Sequence, residues 1–135
     1  MEFSRLDSNA KLPTRATKGS AGYDLYALHD GVIQVGETVT VPTGVTVVDM
    51  PNCIAGEIWP RSGMARNDCI DRMAGLIDSD YAHGIGVVLI NHGSEPYRYA
   101  SGDRVGQIKF GPVYFVDNDF VVSEQRNGGF GSSGK

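Results

Sequence analysis

The sequence predicts an all-β protein, a sandwich or barrel built from many short strands. Two observations lead there. Chain-breaking residues are dense, with 18 glycines and 6 prolines in 135 residues. Between them lie short runs rich in β-branched and aromatic residues, at the spacing expected of an all-β domain. Taken in order, the runs are 31–35, 38–41, 45–49, 54–59, 86–91, 105–110, 113–116 and 120–123. The joins between them carry turn chemistry: Pro42-Thr43-Gly44, Met50-Pro51-Asn52, His92-Gly93-Ser94, Ser101-Gly102-Asp103 and Asp117-Asn118-Asp119. Residues 45–49 mix apolar and polar side chains, as a half-buried strand does. Val87-Val88-Leu89-Ile90 is apolar throughout, the pattern of a strand covered on both faces. A single helix of about two turns is expected over 64–70.

Length allows one domain with a real core. Hydrophobic residues at 41% and charged residues at 21% are ordinary for a globular chain. No apolar run is long enough to span a membrane. The opening MEFSRLDSNAKLP has no signal-type apolar stretch, so a cytoplasmic setting is expected, with Cys53 and Cys69 as free thiols. Two cysteines without a CxxC spacing do not make a zinc site. A net charge of −4 argues against a general nucleic-acid surface. It leaves room for an anionic ligand, which needs only a few placed arginine, serine and backbone N–H groups.

Polar chemistry concentrates in five places. Asp24 lies in the alternating run Tyr23-Asp24-Leu25-Tyr26-Ala27, where an aspartate is most simply a solvated face residue. Trp59-Pro60-Arg61-Ser62-Gly63 ends a strand and opens the helix; it is either an N-capping serine beside a surface arginine or an anion site at a helix start. Leu76-Ile77-Asp78-Ser79-Asp80-Tyr81 is a strand end running into acidic residues. It is an aspartate-capped turn, or a carboxylate placed to act on a phosphate ester, with Asp78 and Asp80 on one side if the chain stays extended. Asp103-Arg104 suggests a turn with an ion pair, and Gln107 is an unusual amide inside a strand. Residues 126–135, RNGGFGSSGK, cannot pack as a core element. They form a polar tail, or an arm that orders over a phosphate ligand, and the single aromatic among glycines favours the arm.

Taken in order, these segments resemble the five motifs of the trimeric dUTPase family: AGYDLYA at 21–27, PRSG at 60–63, GLIDSDY at 75–81, GDRVGQ at 102–107 and GGFGSSG at 128–134. LP at 12–13, VPTG at 41–44 and IDRMAG at 70–75 fit the spacing as well. PRSG alone is weak; the ordered set is specific. The resemblance implies a jelly-roll-like distorted β-barrel over 1–125 and a flexible arm over 126–135. It implies a homotrimer whose active sites lie between subunits, with motif three from one copy, motifs two and four from a neighbour, and the arm from the third. The implied activity is Mg²⁺-dependent hydrolysis of dUTP to dUMP and pyrophosphate. Asp78 would activate the water, with Gln107 positioning it and the phosphate. Arg61, Ser62 and Gly63 would hold phosphates. Tyr81 would pack on the deoxyribose, and main-chain groups of Leu76, Ile77 and Gly86 in the 76–86 hairpin would read uracil. Phe130 would stack on the base, with Arg126, Gly131, Ser132 and Ser133 at the γ-phosphate. Asp24 would hold Mg²⁺ through water. No nucleic acid or membrane partner is implied.

Two positions depart from the family's pattern. His83 stands where the family usually has glycine two residues after the motif-three tyrosine. Arg126 lies four residues before Phe130 rather than five, with Gln125 in the usual slot. Two rival functions are a dCTP deaminase of the same fold family and a non-enzymatic regulatory protein on this barrel. A deaminase would need a glutamate-based site, and the carboxylate here is an aspartate in an IDSDY context.

Overall fold

The computed structural model describes residues 1–117 and 121. In chain order these form β1 (Glu2–Arg5), β2 (Tyr23–Tyr26), β3 (Gly31–Ile33), β4 (Thr38–Pro42), β5 (Val45–Val48), β6 (Ile54–Trp59), α1 (Ser62–Asp68), β7 (Ile70–Arg72), β8 (Leu76–Ile77), β9 (Gly86–Asn91), β10 (Tyr97–Tyr99) and β11 (Arg104–Pro112). Every strand pairing is antiparallel. One sheet has the order β2-β11-β6-β8 and a second β4-β9-β7, with β1-β5 and β10-β3 as separate ladders. Among the described residues the ladders do not join into one ring. The expected distorted barrel is therefore an open jelly-roll arrangement rather than a closed cylinder.

Alternation along the strands builds the core. Leu25 of β2, Ile58 of β6 and Val105 and Ile108 of β11 meet Val41 of β4, Val87 and Leu89 of β9 and Ile70 of β7, all essentially inaccessible to solvent. Val88 and Ile90 are only half-buried, so the second face of β9 is partly covered rather than doubly buried as its sequence suggested. The turn between β4 and β5 needs Gly44: its φ is +69°, and a Cβ there would sit 2.8 Å from the Ala10 side chain.

The helix starts and stops two residues earlier than expected. Arg61, with φ −84° and ψ 132°, is the N-cap, and Cys69 closes the helix in a left-handed conformation with its N–H on the Met64 carbonyl. Ile70 is thereby released into β7, where it pairs with Asn91 and is fully buried. Residues 113–116 are not a strand. The β11 ladder ends at Pro112 opposite Ile54, and Val113 donates one last bond to the Cys53 carbonyl at 2.7 Å. Tyr114, Phe115 and Val116 then stand exposed. β-propensity without a partner strand does not make a sheet. The run 120–123 falls outside the described residues except for Val121, which is exposed. Strands β1, β7 and β10 escaped the sequence reading because they are short and polar-rich, and are held by neighbours far away in sequence.

Among the described residues no helix is long and apolar enough to cross a membrane. Cys53 and Cys69 are free and exposed.

Asn91 clasps the loop after β9. Its buried amide donates to the carbonyls of Ile33 at 3.0 Å and Glu95 at 2.8 Å, and its carbonyl oxygen accepts the Gly93 N–H at 2.8 Å. Asn91→Ala orphans three backbone groups and opens a void. It is expected to lower unfolding stability by about 2–4 kcal/mol in a denaturant titration.

Candidate active site

Strand β11 carries the centre of the polar cluster. Gln107 lies opposite Asp24 of β2 on one side and opposite Trp59 of β6 on the other. Its amide donates to the Pro60 carbonyl at 3.0 Å. The side chain lies over Gly22, where a Cβ would stand 2.6 Å from Oε1 and 3.3 Å from the Gln107 Cβ. Gly22 thus has a steric role in holding Gln107. Ala21, Gly22, Trp59, Gln107 and Lys109 line a recess of about 160 Å³ beside the amide. A larger depression, lined by residues such as Asp30, Arg98 and Tyr99, contains none of the predicted site residues.

Asp24 is not a solvated face residue. Its side chain is only 14% exposed and sits between two guanidiniums: Arg61 Nε is 3.4 Å from one carboxylate oxygen and Arg104 3.4 Å from the other. Arg104 therefore pairs across the sheet with Asp24 and not with its neighbour Asp103, whose carboxylate instead accepts the Ala100 N–H. Arg104 and Gln107 are three residues apart, so regular alternation would put them on opposite faces. A bulge between Arg104 and Gly106 shifts the register and lets both face Asp24.

Arg61 ends the extended segment and supplies the N-cap, but without a side-chain capping bond. Ser62 is the first helical residue rather than the cap. A Cβ on Gly63 would meet nothing within 4 Å, so this glycine answers no packing need. Beyond the cluster, the hydrogen bond from Lys109 holds the Glu57 carboxyl below its usual range, and a second bond from Trp59 adds to this.

The motif-three segment sits at the other edge of the sheet. Leu76 and Ile77 pair with Glu57 and Gly56 of β6. The chain then turns at once, with the Tyr81 N–H on the Asp78 carbonyl at 3.1 Å. Asp78 and Asp80 are thus parts of a turn and not side-by-side positions of an extended strand. Tyr81 is buried, and its hydroxyl donates to the Gly84 carbonyl at 3.1 Å. The His83 ring meets the Tyr81 ring edge-on at 5.7 Å. His83 itself is exposed.

The two halves do not meet within one chain. Ile77 opposes Gly56, so Asp78 continues level with Ala55, while Gln107 opposes Trp59 four residues along and two strands away. Strand spacing and rise put them about 10 Å apart across the sheet and about 13 Å along it, roughly 16 Å in all. Asp24 lies one strand further. Arg126, Phe130, Gly131, Ser132 and Ser133 fall outside the described residues.

Among the described residues no cluster of three or more His, Cys, Asp or Glu could cage a metal. Asp24 brings one carboxylate already faced by two cations. That donor set fits an ion ligated by phosphates and held by the protein through water; it does not fit an ion ligated directly by side chains.

The sequence reading missed Arg104 as the partner of Asp24, and Gly22 as the floor under Gln107. GDR and AGYD signalled both residues as members of motifs, but not their contact.

Comparison with known proteins identifies the family. The family model for dUTPase matches residues 8–134. The deoxyuridine 5'-triphosphate nucleotidohydrolase of Pasteurella multocida is 42% identical over 139 residues, covering 97% of this chain and 92% of that protein. The crystal structure of dUTPase from Streptococcus mutans matches with a TM-score of 0.78 at 28% identity, covering 87% of this chain and 99% of that one. A mutant dUTPase from phage phi11 of S. aureus, described as coordinating a structural Mg(II) ion, matches with a TM-score of 0.80. At 21% identity that likeness speaks for the fold alone. Nothing among these matches supports the deaminase reading. The chain belongs to the dUTPase family and is a dUTP diphosphatase, an enzyme that hydrolyses dUTP.

Proposed function

We propose that the chain turns dUTP into dUMP and pyrophosphate at sites shared between three copies of itself, by water attack on the α-phosphorus. The observation that carries this is the gathering of Asp24, Arg61 and Gln107, from three separate motifs, around one register position of β11. Asp78 lies too far from that cluster for both to touch one substrate atom in the same chain, because acid–base and positioning contacts need about 3 Å. A second copy supplying its own hairpin resolves the mismatch, and the 126–135 arm of a third closes the site.

In that assembled site Asp78 orients the water and takes its proton. Gln107, fixed by Pro60 and Gly22, orients the water and a phosphate oxygen. Arg61 with the first-turn groups of Ser62 and Gly63 holds the phosphate chain. The Tyr81 hydroxyl is already used inside the hairpin, so the residue offers its ring to the deoxyribose and leaves no room for a 2′-OH. Main-chain groups of Leu76, Ile77 and Gly86 match the uracil edge. A mismatched base would leave buried groups unpaired at about 1–3 kcal/mol each, and two mid-range mismatches give discrimination of a few hundredfold or more. The thymine methyl is excluded by shape. From the arm, Phe130 stacks on the base, and Arg126, Gly131, Ser132 and Ser133 surround the γ-phosphate and shut out water.

The substrate is the Mg²⁺ complex of the triphosphate, whose ion neutralises charge on the leaving pyrophosphate. Asp24 is the residue that would hold the ion, through water. The proposed setting is the cytoplasm, where such nucleotides circulate. The physiological outcome is a low dUTP pool, so that less uracil enters DNA, together with a supply of dUMP for dTTP synthesis.

Pyrophosphate release should be seen with dUTP and Mg²⁺, and be weak with dTTP, dCTP and UTP. Absence of dUTP turnover at micromolar enzyme would sink the proposal. Asp78→Asn should keep nucleotide binding, measured by calorimetry, and lose turnover by about three orders of magnitude. If the sites are shared, Asp78→Asn and Arg61→Ala proteins, each inactive, should regain part of the activity when unfolded together and refolded as a mixture. Gly22→Ala should displace Gln107 and cut kcat by about tenfold, while the melting temperature moves by less than about 4 °C.

A further inference from the structure

The hairpin that carries Asp78 is anchored at both ends, and the exit adds side-chain hydroxyls to its backbone bonds. Its entry is held by the β8–β6 ladder at Leu76 and Ile77. Its exit is held by backbone bonds, with the Ile85 N–H on the Val45 carbonyl at 2.8 Å, and by hydroxyls. Three successive carbonyls each accept a side-chain O–H: His83 from Thr46 at 3.0 Å, Gly84 from Tyr81 at 3.1 Å and Ile85 from Thr43 at 2.6 Å. Thr43 and Thr46 are two of the few buried polar residues, at 1% and 4% exposure. Neither is accounted for by the chemistry above.

Thr43 matters most because of what its hydrogen bond fixes. The Ile85 carbonyl and the Gly86 N–H are two ends of one rigid peptide plane. The Thr43 N–H also donates to the Ile85 carbonyl, at 3.2 Å. This makes Pro42 and Gly86 a non-hydrogen-bonded pair in the β4–β9 ladder, so the Gly86 N–H points away from β4. On that side β7 pairs only with Leu89–Asn91. The Val45 N–H, 3.4 Å from the Thr43 oxygen, occupies a lone pair and directs the hydroxyl proton toward Ile85.

We infer that Thr43 is a positioning residue for the substrate base, acting through the Ile85–Gly86 peptide. Its hydroxyl sets the direction in which the Gly86 N–H is presented, and Thr46 steadies the preceding turn in the same way. This rests on the proposal that Gly86 contacts uracil. The ladder that holds Leu76, Ile77 and the start of the Asp78 turn does not involve Thr43, so loss of the Thr43 hydroxyl is expected to act on base binding and to leave the chemical step in place.

The test is steady-state pyrophosphate release from dUTP by the full chain. Thr43→Val keeps the volume and loses the hydroxyl; Thr43→Ser keeps the hydroxyl. Thr43→Val is expected to raise KM by roughly tenfold with kcat within about twofold of the wild type, and Thr43→Ser to restore KM. A merely structural role would reduce the active fraction, lowering kcat at unchanged KM, and that result overturns the inference. So does an unchanged KM and kcat, or a serine variant that behaves like valine. If Thr43→Val does not fold, Thr46→Val must show the same rise in KM at held kcat, and its failure to do so also overturns the inference. A wild-type chain that does not hydrolyse dUTP would instead count against the proposed function, so the two failures are distinguishable.

Discussion

The register of β11 decides where the polar cluster forms. This strand pairs with β2 on one side and β6 on the other, and Gln107 is the position at which it faces Asp24 and Trp59 together. Its neighbour Ile108 is fully buried. A slip of one residue would turn Gln107 into the core and Ile108 outward, which the apolar face does not permit. The same burial that makes the sheet stable therefore aims the amide. The bulge upstream is the one local exception, and it places Arg104 on the side where alternation alone would not have put it.

The core and the site are linked differently at the motif-three edge. There the two-residue strand β8 contributes little pairing of its own, and the turn that follows leaves the sheet. Buried hydroxyls of Thr43, Thr46 and Tyr81 supplement the backbone bonds at the hairpin's exit. A short polar hairpin gains its rigidity from the adjacent β4–β5 turn, itself dependent on the left-handed Gly44. The site's two halves thus inherit their geometry from opposite edges of one sheet, and the separation between them makes a single copy an incomplete catalyst in the proposed scheme.

Much of this was legible in the sequence. The boundaries of β6 and β9 were read correctly because long apolar runs between turn residues have few alternatives. Asp24, Arg61, Asp78 and Gln107 stood out because polar residues in strand-like surroundings need a reason to be there. What was not legible depended on long-range partners. Tyr114 to Val116 have strand propensity but no neighbouring strand among the described residues. Ser62 looks like a cap, yet the chain enters the helix one residue earlier. Asp103 and Arg104 are adjacent in sequence, and only the bulge and the pairing with β2 reveal that Arg104 belongs to Asp24. Thr43 and Thr46 are unremarkable in sequence, because the carbonyls they hold lie about forty residues away.

The arrangement around Asp24 also constrains how the phosphates are received. Arg61 is 30% exposed and Arg104 47%, so each contact at 3.4 Å is a partly solvated ion pair. Such pairs contribute on the order of 1 kcal/mol or less. An incoming triphosphate offers Arg61 stronger, charge-assisted bonds. In the proposed site Arg61 is then able to turn toward the phosphates at small cost, while Arg104 stays on Asp24 and keeps that carboxylate from standing unpaired. Two arginines on one aspartate are redundant for the stability of the free chain. In the proposed site they cease to be redundant, because one of them then has a second anion to hold while the other keeps Asp24 paired.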